Sequence, residues 1–587
     1  MGERDSGEVE QALHELARKE LIRPLRVSSM QAEAQYGFWH ALVRDVCYGQ
    51  IPRSGRAERH QLAAAWIEQK AGERPEDLAD VLAYHYLTAL ELRQAAGQPD
   101  DSQLHAKAVR YLGLAGERAL GLDIGRAEQK LARALELTAE DDPQRPLLLQ
   151  RWARAALERG RLREARETLE HALELYRQGE DSLAVARTLI ELELVLGRLG
   201  DPRTDEVLSE ALRVLEAQQP GPELVAAYAS QSGTLCMTGA DAEAVAAADN
   251  ALALAARLDL PQPADALGYR GFARAHRGER HGVEEMRRTL TLAIERGEGR
   301  SAAVLYNNLA LISWQYDGPQ EALDLIREGI EFSQRRGLTQ MAEAMAAAQT
   351  QPMAELGYTE ETLRQATQLA DQLEPSGDFV FAEPRSVQLR LLVECGRHDQ
   401  APSPEPMLRA SRDSGQPEIL ALAVAAAAGL LHAQAHPKRA RLLLAELDRN
   451  AASRTNGTYA TLLPSLVRTA LNLNDLDLAT SLNQGVPPLT PLHQHALTTS
   501  QAQLAEADDN HEQAASLYAG AARSWQQFGN VPEHAYALLG KGRCLTELGD
   551  TAEQPLRQAA ELFALLGYKP ALDEAEVLLS STQPAAT

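Results

Sequence analysis

YNNLALISWQYDGPQEALDLIREGIEFSQRRG, residues 306–337, holds two amphipathic helical segments around the break Asp317-Gly318-Pro319. Glycine followed by proline ends one helix and starts the next. Small residues fall at Ala310, Ala322 and Gly329, where two helices can cross closely. The stretch therefore reads as a helical hairpin, and much of the chain repeats it.

The repetition is checked by spacing. Ala153, Gly160, Ala165 and Ala172 lie 7, 5 and 7 residues apart. The same offsets recur at Ser232, Gly239, Ala244 and Ala251, at Ala310, Asp317, Ala322 and Gly329, and at Ala502, Asp509, Ala514 and Ala521. A partial copy lies at Ala115, Ala127 and Ala134. The first and third residues permit tight crossing, the second marks the turn, and the last lets the next helix stack. The unit resembles a tetratricopeptide repeat lengthened from about 34 residues to 38–40. The fold expected is all-α: a right-handed tetratricopeptide-like superhelix of about twelve hairpins with a small N-terminal winged-helix remnant. Its expected parts are a partial winged-helix-like segment at 1–60, connecting helices at 61–112 and the repeat array at 113–583. Such an array buries its core between neighbours and presents a long concave surface. Ala401–Pro406 and Gly485–Pro491 read as irregular loops, the Pro-rich second one a kink, and the tail STQPAAT should fray.

Only 5% of residues are aromatic, so the composition favours helices over sheets. The net charge of −24 lies almost wholly beyond residue 70, which makes the repeats a poor binder of a phosphate backbone; no nucleic-acid partner is expected. Cys47, Cys236, Cys395 and Cys544 never form CxxC, which fits a reducing, cytoplasmic setting. The charged start MGERDSGEVEQ has no apolar run, and Ile419–Leu431 is too short to span a bilayer, so neither leader nor membrane partner is expected.

Near the N-terminus, residues 8–22 show one apolar helical face closed off by Pro24, and Leu25–Ser28 with Tyr36–Trp39 read as a short extended pair. Then come FWHALVRDVCYGQIPR (Phe38–Arg53) and HQLAAAWIEQKAGERPEDLADVLAYHYLTALEL (His60–Leu92). Both resemble the winged-helix end and connecting helices of bacterial signal-transduction ATPases, particularly those joining a class III adenylate/guanylate cyclase domain to an AAA-type ATPase and a helical-repeat tail. RGFARAHRG (Arg270–Gly278), YNNLA (Tyr306–Ala310), REGIEFSQRRG (Arg327–Gly337) and LLGKGRCLTELGD (Leu538–Asp550) extend the likeness. The chain departs from that family in having no GxxxxGK[ST] loop, and GKGRCL at Gly540 has the wrong glycine spacing. The resemblance implies a non-catalytic repeat module of a signal-transduction regulator that receives a protein, peptide or small-molecule signal. Two alternatives stand beside it: a truncated cyclase/ATPase relative, and a winged-helix transcriptional regulator.

No catalytic, cofactor or metal residue is expected. His432 and His436 are followed by Pro437, and His14-Glu15 and His511-Glu512 lack the second histidine of HExxH. The resemblance marks His40 as a candidate nucleotide-state sensor; the alternative is a histidine packed between strand and helix. The groove candidates are Asn307, Leu311 and Trp314, which share one helical face, with Asn308 and Tyr316 as neighbours. Asparagine can pair with both groups of a peptide backbone and tryptophan offers a large contact area. The competing reading puts the asparagines in inter-helix bonds and Trp314 in the core.

Overall fold

The computed structural model describes residues 6–25, 34–72, 74–376, 379–450, 453–454 and 456–582. Contacts divide the chain into two units, Met1–Leu120 with Gly125–Trp152, and Gly121–Ile124 with Ala153–Thr587. Among the described residues twelve helical hairpins follow one another, from Ser102–Leu120 with Ile124–Leu137 to Val531–Glu547 with Glu553–Leu566. The fold is all-α and tetratricopeptide-like. No helix among the described residues is long and apolar enough to cross a membrane.

The first unit opens with helix Ser6–Arg18 and an antiparallel pair, Ile22–Pro24 with Tyr36–Phe38, in which Pro24 faces Tyr36. The first strand begins earlier than the sequence suggested; Leu25 continues the ladder by donating to Gln35, and residues 26–28 of the expected strand lie outside those described. Pro24 is tolerated because a two-stranded pair has only edge strands, where a proline need not donate. Helix Ala41–Gly49 follows with no buried residue. Arg53–Ala71, Ala79–Ala95 and Ser102–Leu120 pack into an apolar core, beside which the half-buried Glu68 accepts hydrogen bonds from Tyr86, Tyr111 and Lys107. Burial raises that carboxyl, but the three donors outweigh it and hold it at about 2.

The second unit holds most of the repeated hairpins. Ala153, Ala165, Ala172, Ser232, Ala244, Ala251, Ala502, Ala514 and Ala521 are fully buried, and Ala310 and Ala322 nearly so. A Cβ on Gly329 would stand 2.5 Å from Met345 Sδ, so the last position of that copy admits only glycine without repacking. The turn position carries the clearest period. Residues with positive φ stand at 160, 200, 239, 278, 318, 357, 396, 435, 474, 509 and 549. The spacing is nearly constant along this series and shortens only between Asn474 and Asp509. Seven residues before the last six turns stand Thr350, Leu389, Ala428, Val467, Ala502 and Gly542, all within helices. The copies hidden in the sequence are thus in register; Leu389 and Val467 replace the small residue that would have revealed them.

The array also touches itself at long range. A Cβ on Gly318 would lie 2.2 Å from the Phe528 carbonyl oxygen, and one on Gly200 would lie 2.8 Å from that of Asp413. In the same way Gly278 meets the Leu489 carbonyl and Gly357 the Leu566 side chain. In all four cases the partner lies five hairpins plus one helix further along the chain. The coil therefore returns on itself after five to six hairpins, and successive turns stack. The open concave surface expected from the sequence is closed into a lumen. The physical reason is at the turns: without side chains, they let the next coil approach the backbone directly. The Pro-rich loop before Pro491 serves this seam, since Leu489 within it seats against Gly278.

Gly282 tests the closeness of the crossings. It is helical, so alanine would gain about 1 kcal/mol of helix propensity. Its Cβ, however, would meet the Gly271 carbonyl oxygen at 2.2 Å and the Ala275 nitrogen at 2.7 Å. Overpacking against backbone costs roughly 1–3 kcal/mol and wins. Gly282→Ala is expected to lower the melting temperature of the full chain; a raised one would show that these helices do not cross so tightly.

Candidate functional site

A cavity of about 540 Å3 fills the lumen of the last six hairpins. Its walls are chiefly the first helices of those hairpins, from Thr350–Glu355 to Val531–Glu547, together with the C-terminal Lys569–Thr582. It opens past the exposed Asn472, Pro570 and Glu574.

The repeat register explains which side chains face it. Six residues before each turn stand Gln351, Arg390, Gly429, Arg468, Gln503 and Arg543, and all six line the cavity. This position follows the crossing residue directly; one neighbour packs against the partner helix while the other looks inward. Val387, Leu422, Ala426, Leu462 and Leu539 supply an apolar wall. Gly429 leaves open space where a side chain would be: a Cβ there meets nothing within 4 Å.

Two of the three arginines are neutralised. Arg543 makes a forked pair with Glu506 at 2.7 and 2.9 Å and also reaches Glu574 at 2.9 Å. Arg468 pairs with Glu533 at 2.9 Å and lies 3.8 Å over the Tyr536 ring. Arg390 donates to the Gln351 amide oxygen at 3.0 Å and has no carboxylate within ion-pair distance among the described residues. Burial pushes Glu394 above the usual carboxylate range, against the pull of Arg468 and the Tyr536 hydroxyl, which donates to it. Glu355, only 3% exposed, accepts from Trp314 Nε1 and Gln351 Nε2, both at 2.8 Å, yet burial pushes it to about 7.

The five groove candidates are half-buried or buried. Asn307, Leu311 and Trp314 line a second cavity of about 170 Å3 that shares Gln351 and Leu422 with the larger one. Counted from Ala310, they occupy the same inward positions as the lumen residues of later hairpins. Trp314 is 5% exposed and belongs to the core as well as to this wall. Asn307 donates to Asn308 at 3.3 Å, and Asn308 is not among the cavity walls. Tyr316 is turned away, its hydroxyl donating to the Ala275 carbonyl at 2.8 Å. His40 is exposed at the start of Ala41–Gly49 in the first unit, not packed between strand and helix. Gly540 and Gly542 of GKGRCL are packing residues: a Cβ on either would stand 2.4 Å or less from Tyr518 or Leu556. His432 lines the large cavity while His436 precedes the next helix.

Sequence reasoning did not single out Arg390, Arg468, Gln503 or Arg543. The signal was there in the register: a polar residue directly after the crossing position in five of these six hairpins. It could be used only once the degenerate turns Ala435 and Asn474 were aligned.

No family model matches this sequence, and no curated protein matches it either. Among solved structures it is similar to a Rap protein complexed with competence and sporulation factor, at 11% identity over 62% of this chain and 99% of that one, with a TM-score of 0.41. It is similar to a Signal Transduction ATPase with Numerous Domains bearing a tetratricopeptide repeat sensor, from Pyrococcus horikoshii, at 13% identity over 73% of this chain and 60% of that one, TM-score 0.36. Yeast Tom70 matches at 14% identity over 89% of this chain and 96% of that one, TM-score 0.30. Scores below 0.5 carry no functional weight, so the site stands on this chain's own geometry.

Glu355 gives the core a pH dependence. Its carboxyl is held near 7 when folded, above the ordinary 4.5. The folded state therefore keeps a proton that the unfolded chain loses, and stability falls as pH rises from about 4.5 to 7, then levels. The full effect is about 3 kcal/mol at most. Glu383, also pushed to about 7 by burial, acts in the same direction. Melting temperatures recorded from pH 5.5 to 8 are expected to fall less steeply in Glu355→Gln than in the wild type; equal slopes would remove Glu355 as a contributor.

Proposed function

We propose that this chain is the non-catalytic, ligand-receiving repeat module of a cytoplasmic signal-transduction regulator, and that the lumen of its last six hairpins takes a short peptide or a small molecule. The observation that carries the reading is the inward ring at one repeat position, Gln351, Arg390, Gly429, Arg468, Gln503 and Arg543, around a cavity of about 540 Å3. Ligand pockets run to about 300–1,000 Å3, with a largely apolar wall and a few placed polar groups. The lumen has that size, with a wall shared about equally between apolar and polar groups, and it admits a few residues of peptide rather than a folded partner. Its polar groups are amides, guanidinium groups, phenols and carboxylates bonded to one another, an arrangement suited to recognition. A ligand seated there would touch hairpins on several walls at once, and so tie the coil together. That is a direct way for occupancy to alter the stiffness of the array and pass a signal along it.

Gly429 provides the test. Phenylalanine at this position projects into open space and improves helix propensity by roughly 0.5 kcal/mol, so folding is preserved. Full-length wild type and Gly429→Phe are incubated with a tryptone digest, and the retained low-mass species are identified by native mass spectrometry. The wild type is expected to hold species that the variant does not, at equal or higher melting temperature of the variant. Equal retention by both proteins, or none by the wild type, would count against the lumen as the site.

A further inference from the structure

The first unit holds a polar cluster that the lumen does not involve. His60, on Arg53–Ala71, is 7% exposed, and both of its ring nitrogens are engaged. Its Nε2 lies 2.8 Å from the Tyr48 hydroxyl, and its Nδ1 lies 2.9 Å from Nδ1 of His85 on Ala79–Ala95. Tyr48 belongs to Ala41–Gly49, the helix with no buried residue. Among the described residues, Tyr48 to His60 is the one side-chain hydrogen bond that joins residues 6–25 and 34–50 to the helices that follow. The Tyr48 ring also meets the His60 ring edge-on at 5.8 Å and lies 4.9 Å beneath the Arg56 guanidinium.

Two nitrogens 2.9 Å apart hold one proton between them. A neutral pair satisfies this: one Nδ1 donates, the other accepts, and the Tyr48 hydroxyl pairs with Nε2. A pair with one added proton satisfies it too, since the extra proton goes to an Nε2. A pair with two added protons does not, because both Nδ1 atoms then carry N–H groups that point at each other. Nothing nearby offsets that charge. The titratable and charged groups that meet the pair are the phenols of Tyr48 and Tyr84 and the Arg56 guanidinium; no carboxylate bonds to either ring among the described residues. Burial lowers both histidines below the ordinary 6.5; Arg56 adds to the effect on His60, and His60 to that on His85.

We propose that His60 and His85 form an acid-sensitive latch, which holds the N-terminal segment to the first unit through Tyr48 at neutral pH and releases it when the pair takes up a second proton. The sign follows from proton counting. Released, the two imidazoles are ordinary and take up two protons below about 6.5; latched, the pair takes at most one. Latching is therefore full above 6.5 and weakens about tenfold for each pH unit below it. Histidine is the side chain whose charge changes in this range. The segment carries the exposed Phe38, Trp39, Leu42 and Val46, so release frees an apolar face to turn away from the helices.

The test is hydrogen exchange of the full chain, read by mass spectrometry on peptides from Ala41–Gly49 at pH 7.5 and 5.5 and corrected for the intrinsic rate at each pH. Protection of that helix is expected to fall about tenfold in the wild type, while peptides from Ser102–Leu120 keep theirs. Tyr48→Phe should show low protection at both pH values. His85→Gln cannot take the second proton, yet its amide oxygen still accepts from His60, so it should stay protected at pH 5.5. A wild-type helix equally protected at both pH values, or unprotected at pH 7.5, overturns the latch. So does a drop that persists in His85→Gln, or a Tyr48→Phe helix as protected as the wild type at pH 7.5. If His85→Gln melts lower than Tyr48→Phe at pH 7.5, it has lost more than the latch, and the other two proteins decide: a drop in the wild type with constant low protection in Tyr48→Phe supports the proposal, and any other pair of results removes it.

Discussion

Where an alanine, serine or glycine sits at a helix crossing, the two backbones can approach until their own atoms touch. In this chain that contact recurs seven residues before the turn of one hairpin after another, and it fixes the rotation of every helix about its axis. Once the crossing residue is committed to the partner helix, the next residue in sequence must point to the coil's interior. The same rotation brings the bare turns to the outer seam, where Gly318 and Gly200 admit the carbonyl groups of the following coil. Fold, seam and lumen are thus three results of one register.

Much of this could be read from the residues alone, because the crossing and turn positions have narrow steric requirements that leave a mark on composition. Ala153, Ser232, Ala310 and Ala502 announce their hairpins, and Asn307, Leu311 and Trp314 fall on the inward face that their spacing implies. Three things were not legible. The turns at Ala435 and Asn474 adopt left-handed backbone conformations without glycine, so their copies left no obvious signature. Coil closure depends on pairings as remote in sequence as Gly318 with Phe528, for which local patterns hold no information. The double nature of Trp314, core residue and cavity wall together, was posed as a choice because a single helix does not show how wide the space beside it is.

The lumen also shows how a solenoid can carry buried charge without losing stability to it. An isolated guanidinium inside the coil would be costly, but Arg468 and Arg543 each meet a carboxylate from another hairpin, and Arg468 lies on an aromatic ring as well. Some of these contacts bridge hairpins that are not neighbours in sequence: Arg468 with Glu533, and the Tyr536 hydroxyl with Glu394. The polar interior therefore cross-links the coil from within while the turns join it from without. Stability is then not a sum of nearest-neighbour terms, as it is in an open repeat array.

Stacked turns have a consequence for how such a gene can change. Open solenoids lengthen readily, since an inserted repeat only needs to fit the one before and the one after. Here four glycine turns, at 200, 278, 318 and 357, are each matched to a particular segment five hairpins and one helix downstream. Duplicating or deleting one hairpin between Gly318 and Phe528 would displace that pairing, and each other pairing that spans the change, by a full repeat and set side chains where bare backbone is required. Repeat number within a coil is accordingly frozen, and growth or loss is confined to the ends or to whole turns. Sequences descended from the same ancestor should differ in hairpin count by none, or by five or six, rather than by one.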